Sequence, residues 1–75
     1  MKKKDVNDRI NLFYKNKTYT YIRNTFNRFF NGVIKKVEKN TIIFEDDLLG
    51  EIPIGIDEII KIDYSNKIKG DKNVD

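Results

Sequence analysis

The sequence predicts an all-β protein in which five short, bent antiparallel strands close into a small barrel behind one short N-terminal α-helix. Three observations lead there. Apolar residues recur at helical spacing only near the start, at Val6, Ile10 and Phe13. Beyond them, short runs rich in Thr, Tyr, Val and Ile are separated by tight turn signals. Strands so short and so closely connected, with one of them sharply bent, close into a barrel more readily than into layered sheets.

Each element follows from its residues. Met1 to Asp5 is a basic, fraying start, with Asp5 as the N-cap of a helix at about 6–15. Asp8 in the first turn and Lys15 and Lys17 at the far end suit the helix dipole. Thr18 to Asn24 has strand chemistry, and Thr25-Phe26-Asn27 suits a hairpin loop. A long strand follows from Arg28 to Glu38. Its apolar positions Phe30, Val33, Ile34 and Val37 slip out of period two near Gly32, which predicts a bulge or sharp bend there. Lys39-Asn40 is a tight turn with Asn40 suited to a left-handed conformation, and Thr41 to Glu45 is a short apolar strand. Asp46 to Gly50 is a loop. Ile52, Ile54 and Ile56 then alternate with Glu51, Pro53 and Gly55, a half-buried strand whose proline points to an edge or a bulge. Asp57-Glu58 turns the chain into a last strand, Ile59 to Tyr64, and residues 65–75 read as a disordered polar tail after a domain at 1–64.

Composition narrows the chemistry. With 75 residues the chain is one small domain with a marginal core, and its lack of cysteine removes disulfides as a staple. Self-association is the expected substitute. There is no histidine either, so the common general base and common zinc ligand are absent, and no nucleophile sits beside a base. The four glycines are scattered and form no phosphate-cradling loop. The acidic group Glu45, Asp46, Asp47 and Glu51 matches no cation-loop spacing and reads as a solvated turn. No enzyme activity, metal or cofactor is expected. No apolar run suits a membrane span or a secretion signal, so a cytoplasmic protein is expected. The abundance of Ile, Lys and Asn reads as codon bias, because the apolar positions are patterned.

The net charge of +3 conceals a strong asymmetry. Residues 1–39 carry eleven Lys/Arg against three acids, and residues 40–66 carry one Lys against seven acids. Between Asp8 and Glu38 there is no acid, and seven of the nine aromatics lie there: Phe13, Tyr14, Tyr19, Tyr21, Phe26, Phe29 and Phe30. Cations interleaved with rings suit a single-stranded nucleic acid, through phosphate contacts and base stacking. The other reading makes the rings core and the cations a solvated face.

The segment from Phe30 to Asp46 resembles the first Sm motif: a hydrophobic residue, x, Gly32, x, a hydrophobic residue, a short gap, Asn40 in the turn, then an apolar strand ending in Asp or Asn, here Asp46. The order of helix and strands is similar too, and over residues 8–64 the nearest likeness is to the Hfq family, in particular archaeal Hfq-like RNA-binding proteins. Asn11-Leu12-Phe13-Tyr14-Lys15 falls where that family has Asn-x-Leu-Arg-Lys/Arg. The second motif departs. Pro53-Ile54-Gly55 stands where Hfq has Tyr-Lys-His, and the Arg-Gly of ordinary Sm proteins is missing as well.

This resemblance implies an RNA-binding ring, hexameric as in Hfq or else heptameric, in which β-strand edges pair between subunits and repeated weak contacts bind single-stranded RNA. It implies three RNA-contacting sets. Asn40 and Lys39 fall at the pore turn, where Asn40 is either a base contact or a turn residue. Arg23, Asn24, Arg28 and Asn31 fall on the opposite face, where they are polar or basic in place of the family's Tyr and Leu. Lys15 and Lys17 form a basic rim at the helix end, for which a solvated helix terminus is the other reading. The competing functions are a monomeric SH3-like barrel binding duplex DNA or a protein, and a structural assembly subunit.

Overall fold

The structure, a computed structural model, describes residues 2–66. Helix α1 spans Lys3–Asn16 and buries Val6, Ile10 and Phe13 along one stripe. It starts earlier than the expected N-cap allows. Lys2 is the extended N-cap and makes no side-chain cap bond, while Asp5 lies inside the first turn, facing the positive end of the helix dipole. The residues expected to fray are thus helical from Lys3. Lys17 ends the helix in the left-handed region (φ 53°), and Thr18 N–H donates to the Phe13 carbonyl at 3.0 Å. No helix among the described residues is long and apolar enough to cross a membrane.

Five strands follow: β1 Thr20–Asn24, β2 Phe29–Val37, β3 Thr41–Asp46, β4 Gly50–Gly55 and β5 Ile59–Tyr64, the last two joined by a 3₁₀ turn at Ile56–Glu58. They form one antiparallel sheet in the order β4-β3-β2-β1-β5. Ile22, Phe30, Ile34, Ile42, Phe44, Ile54 and Ile62 from the sheet meet Val6, Ile10 and Phe13 from α1 in a single core. Full burial of each such side chain contributes about 1.5–3 kcal/mol. The ladder ends at β4 and β5, and among the described residues no pairing joins these two strands. Residues 67–75, most of the expected tail, lie outside the described residues. Ser65, by contrast, is tied down through its N–H to the Tyr19 carbonyl (3.0 Å).

The phase slip expected at Gly32 occurs three residues later. Phe30, Gly32 and Ile34 all face the core in strict alternation, which turns Val33 to the other face. The register against β3 then shifts between Ile34 and Lys36, so Lys35 is the extra residue and Val37 comes back opposite the buried Ile42. Gly32 has a different role. A Cβ there would lie 1.8 Å from the Glu45 carbonyl oxygen, so only glycine lets β3 approach β2 this closely. Asn40 keeps negative φ; among the described residues positive φ occurs at Lys17, Asn27 and Gly50.

The two sheet ends are protected differently. Ile56 N–H donates to the Asn40 carbonyl (2.9 Å), which sets the alternation of the β3–β4 ladder. In that phase the nitrogen of Pro53 points to the free edge and costs the sheet no bond, as the proline predicted for an edge strand. On β5 the Ser65–Tyr19 bond sets a phase in which the backbone groups of Ile62 and Tyr64 face outward. Arg9 of α1 caps one of them, donating from Nη1 to the Ile62 carbonyl at 2.9 Å, and lies 3.2 Å from the Asp63 carboxylate.

Replacing Gly32 with alanine forces backbone against backbone, which no rotamer change relieves. Gly32→Ala is expected to destabilise the chain by about 3 kcal/mol, the upper end for overpacking, seen as a lower urea midpoint. The same substitution at Gly55, where the nearest contact is the flexible Glu58 side chain at 3.4 Å, should change little.

Candidate nucleic-acid interface

The outer face of the β5-β1-β2 region is built by strand alternation. Phe30 and Ile22 face inward, so Phe29, Asn31, Tyr21 and Arg23 face out. Register then groups them into two rows. Asp63, Tyr21 and Asn31 are cross-strand neighbours, and so are Lys61, Arg23 and Phe29. The rings of Tyr21 and Phe29 stand 6.2 Å apart across the diagonal. Phe29 is 61 % exposed and Phe26, in the adjoining hairpin loop, is 70 % exposed. The expected grouping of the aromatics therefore splits: Phe13 and Phe30 are core, whereas Phe26 and Phe29 present their rings to solvent.

The β1–β2 hairpin holds this face rigid. Asn24, expected among the contacting residues, is buried instead, and its Oδ1 accepts from the N–H groups of Phe26 (2.9 Å) and Arg28 (3.0 Å). Asn27 takes the left-handed conformation (φ 62°) that the turn needs. Its Oδ1 accepts from Nε (3.0 Å) and Nη2 of Arg23, fixing that guanidinium beside Phe29. Arg23 and Lys61 are directly opposed like charges, an arrangement that costs stability in a bare sheet. Neither has an acidic partner among the described residues. Tyr21, Asn31, Lys61, Asp63, Tyr64 and Asn66 line a pocket of about 620 Å³. Within it Asn31 Oδ1 accepts from the Ser65 hydroxyl at 2.6 Å.

The other expected residues lie elsewhere. Lys15 is in the last turn of α1 and Lys17 is its C-cap, whereas Lys39 and Asn40 sit exposed in the β2–β3 turn. No hydrogen bond or ion pair among the described residues links these sets to the outer face. They share one property with it. Lys3, Lys4, Arg9, Lys35 and Lys36 pair with acids, while Lys15, Lys17, Arg23, Arg28 and Lys39 have no acidic partner among the described residues. The sequence pattern named Tyr21, Phe26 and Phe29 only as part of a basic, aromatic segment and placed none of them, nor Lys61, in a contact set. The Phe29-Phe30 doublet carried the signal, since within one strand two neighbours cannot both face the core.

Of the acidic group, Glu45, Asp47 and Glu51 are exposed, as expected of a solvated turn, and Asp46 departs from that reading. Asp46 is buried, and its carboxylate accepts three backbone N–H groups: Asn31 at 3.2 Å, and Leu48 and Leu49 at 2.9 Å each. The Tyr19 hydroxyl donates to the Asp47 carboxylate, tying the strand entry to the same loop. Among the described residues no three acidic side chains converge on a cation position. No protein family, curated protein or solved structure matches the chain.

Two outcomes follow from this loop. Asp46→Ala strands three amide donors and should cost about 2–4 kcal/mol in chemical denaturation, with Asp46→Asn milder because one acceptor oxygen remains. Burial, with the hydrogen bond to Asp47 and the charges of Asp47 and Asp46, pushes the Tyr19 hydroxyl up to about 12 from its ordinary 10.0. The folded state thus holds this proton more tightly than the unfolded chain. Its contribution is complete below pH 10 and is lost as pH rises toward about 12. The difference in stability between wild type and Tyr19→Phe should therefore shift against wild type over that window and stay flat below it.

Proposed function

We propose that this chain binds single-stranded RNA on the outer face of β5-β1-β2, working as a self-assembled, Sm-like ring that brings RNAs together. The opposed Arg23–Lys61 pair beside an exposed Phe29 carries the reading. Two cations held face to face without an acid are relieved by a phosphate between them, and a ring one strand away offers a stacking surface for the attached base. Phe26 and Tyr21 extend the stacking surface, Arg28 adds a cation at the hairpin, and Asn31 supplies an amide for a base edge. Lys39 and Asn40 form a second contact at the β2–β3 turn, and Lys15 and Lys17 add long-range attraction.

The resemblance of residues 30–46 to the Sm motif favours RNA as the ligand. The order of one helix and five strands, with the bulged β2 carrying Gly32, supports the same reading. Assembly is favoured by the small core and by the two unpaired sheet ends. Repetition of the face around a ring converts weak contacts into avidity. A particle mass several-fold above 8.9 kDa in light scattering is the expected solution behaviour.

Fluorescence anisotropy with short single-stranded oligonucleotides over a salt series tests the binding. Phe29→Ala should weaken binding by about tenfold, the loss of one stacked base, with the salt slope unchanged. Arg23→Ala with Lys61→Ala should weaken all sequences alike and flatten the slope by about 1.4, from two lost phosphate contacts. Asn40→Ala should alter base preference and leave the slope alone. Unchanged binding in Phe29→Ala, or a preference for duplex DNA over single strands, overturns the proposal.

A further inference from the structure

The loop before β4 holds two exposed leucines not used by the RNA face. Leu48 is 86 % exposed and Leu49 is 61 % exposed. Exposed leucines in a mobile loop mean little. These two are fixed, because both backbone N–H groups are held by the buried Asp46 carboxylate and the neighbouring Asp47 is held by Tyr19. Their immobilisation precedes any contact, which lowers the entropic cost of docking. Asp47 and Glu51 flank them with negative charge.

A complementary seat lies at the opposite end of the sheet. Tyr64, at the end of β5, is 62 % exposed while its ring packs at a tilt against Phe13 of α1, with centroids 4.8 Å apart. Arg9 places its flank of the helix against β5, and Leu12, three residues on and so on the same flank, is also exposed. Lys15 and Lys17 follow at the helix end and give this seat the opposite charge to the loop. When β4 of one copy pairs antiparallel with β5 of the next, the start of β4 meets the end of β5. The Leu48-Leu49 loop immediately precedes Gly50, the first residue of β4, and Tyr64 is the last residue of β5.

We propose that Leu48 and Leu49 form an apolar clasp that seats on Tyr64 and Leu12 of a second copy of this chain, in a head-to-tail contact. The inference rests on the assembly reading above and adds the residues that direct it. The contact is heterologous: the loop never meets its own equivalent, so successive copies add in one sense, as the ring reading requires. Charge steers the loop to the seat, and the leucines supply the desolvated centre.

The absence of native cysteine makes the test direct. Leu12→Cys, Leu48→Cys and the double variant are each treated with a short bismaleimide at concentrations where light scattering shows wild type assembled. A covalent ladder from the double variant, with each single variant remaining uncross-linked, is expected. Leu48→Ser with Leu49→Ser should raise the assembly dissociation constant at least tenfold, with circular dichroism unchanged because both side chains are already in solvent within one chain. Cross-linking of Leu48→Cys alone, or assembly undiminished by the two serines, overturns the clasp while leaving the ring. A monomeric wild-type chain overturns both.

Discussion

The carboxylate of Asp46 accepts one N–H from Asn31 on β2 and two from the loop that leads into β4. Through these bonds a single buried charge ties three strands together. It stands in register with Gly32, whose missing side chain lets β3 come close enough for the bonds to form. Asn31, which lines the pocket of the outer face, is held from this same junction. So are the leucines at the far edge. A buried carboxylate is tolerated here because backbone amides replace the water it loses.

The two halves of the sequence carry opposite charge, and the fold joins them through Lys3–Asp57, Arg9–Asp63 and Lys35–Glu45. The basic first half supplies α1, β1 and β2, where Arg23 and Arg28 lie without acidic partners among the described residues. The acidic second half supplies the loop before β4 and the 3₁₀ turn. In the proposed assembly, pairing between copies covers the two exposed strand edges of this small core.

Much of the architecture was legible residue by residue. The last strand runs over the predicted Ile59–Tyr64, and β1, β3 and β4 lie within or close to their predicted runs, because alternation and turn residues act locally. Pro53 announced an edge or a bulge, and β4 is an edge. The bend near Gly32 was legible as a phase slip. Its location was not, since a glycine inside an alternating run can be either the bulge or an inward position filled by a neighbouring backbone. Asn24 read as a surface amide and proved to be the buried cap of its own hairpin, a role set by backbone groups two and four residues on.

The sequence by itself determined the helix stripe, the strand runs, the charge division and the exclusion of thiol and imidazole chemistry, all of which depend on residue identity and short spacing. Tertiary structure decided which aromatics became core. Phe29 and Phe30 have the same chemistry and differ only in the face that strand alternation assigns them. It also brought Lys61 from the acidic half against Arg23, 38 positions earlier in the chain, across the β1–β5 ladder. No local pattern encodes that pairing, because register between distant strands is set by how the whole core closes.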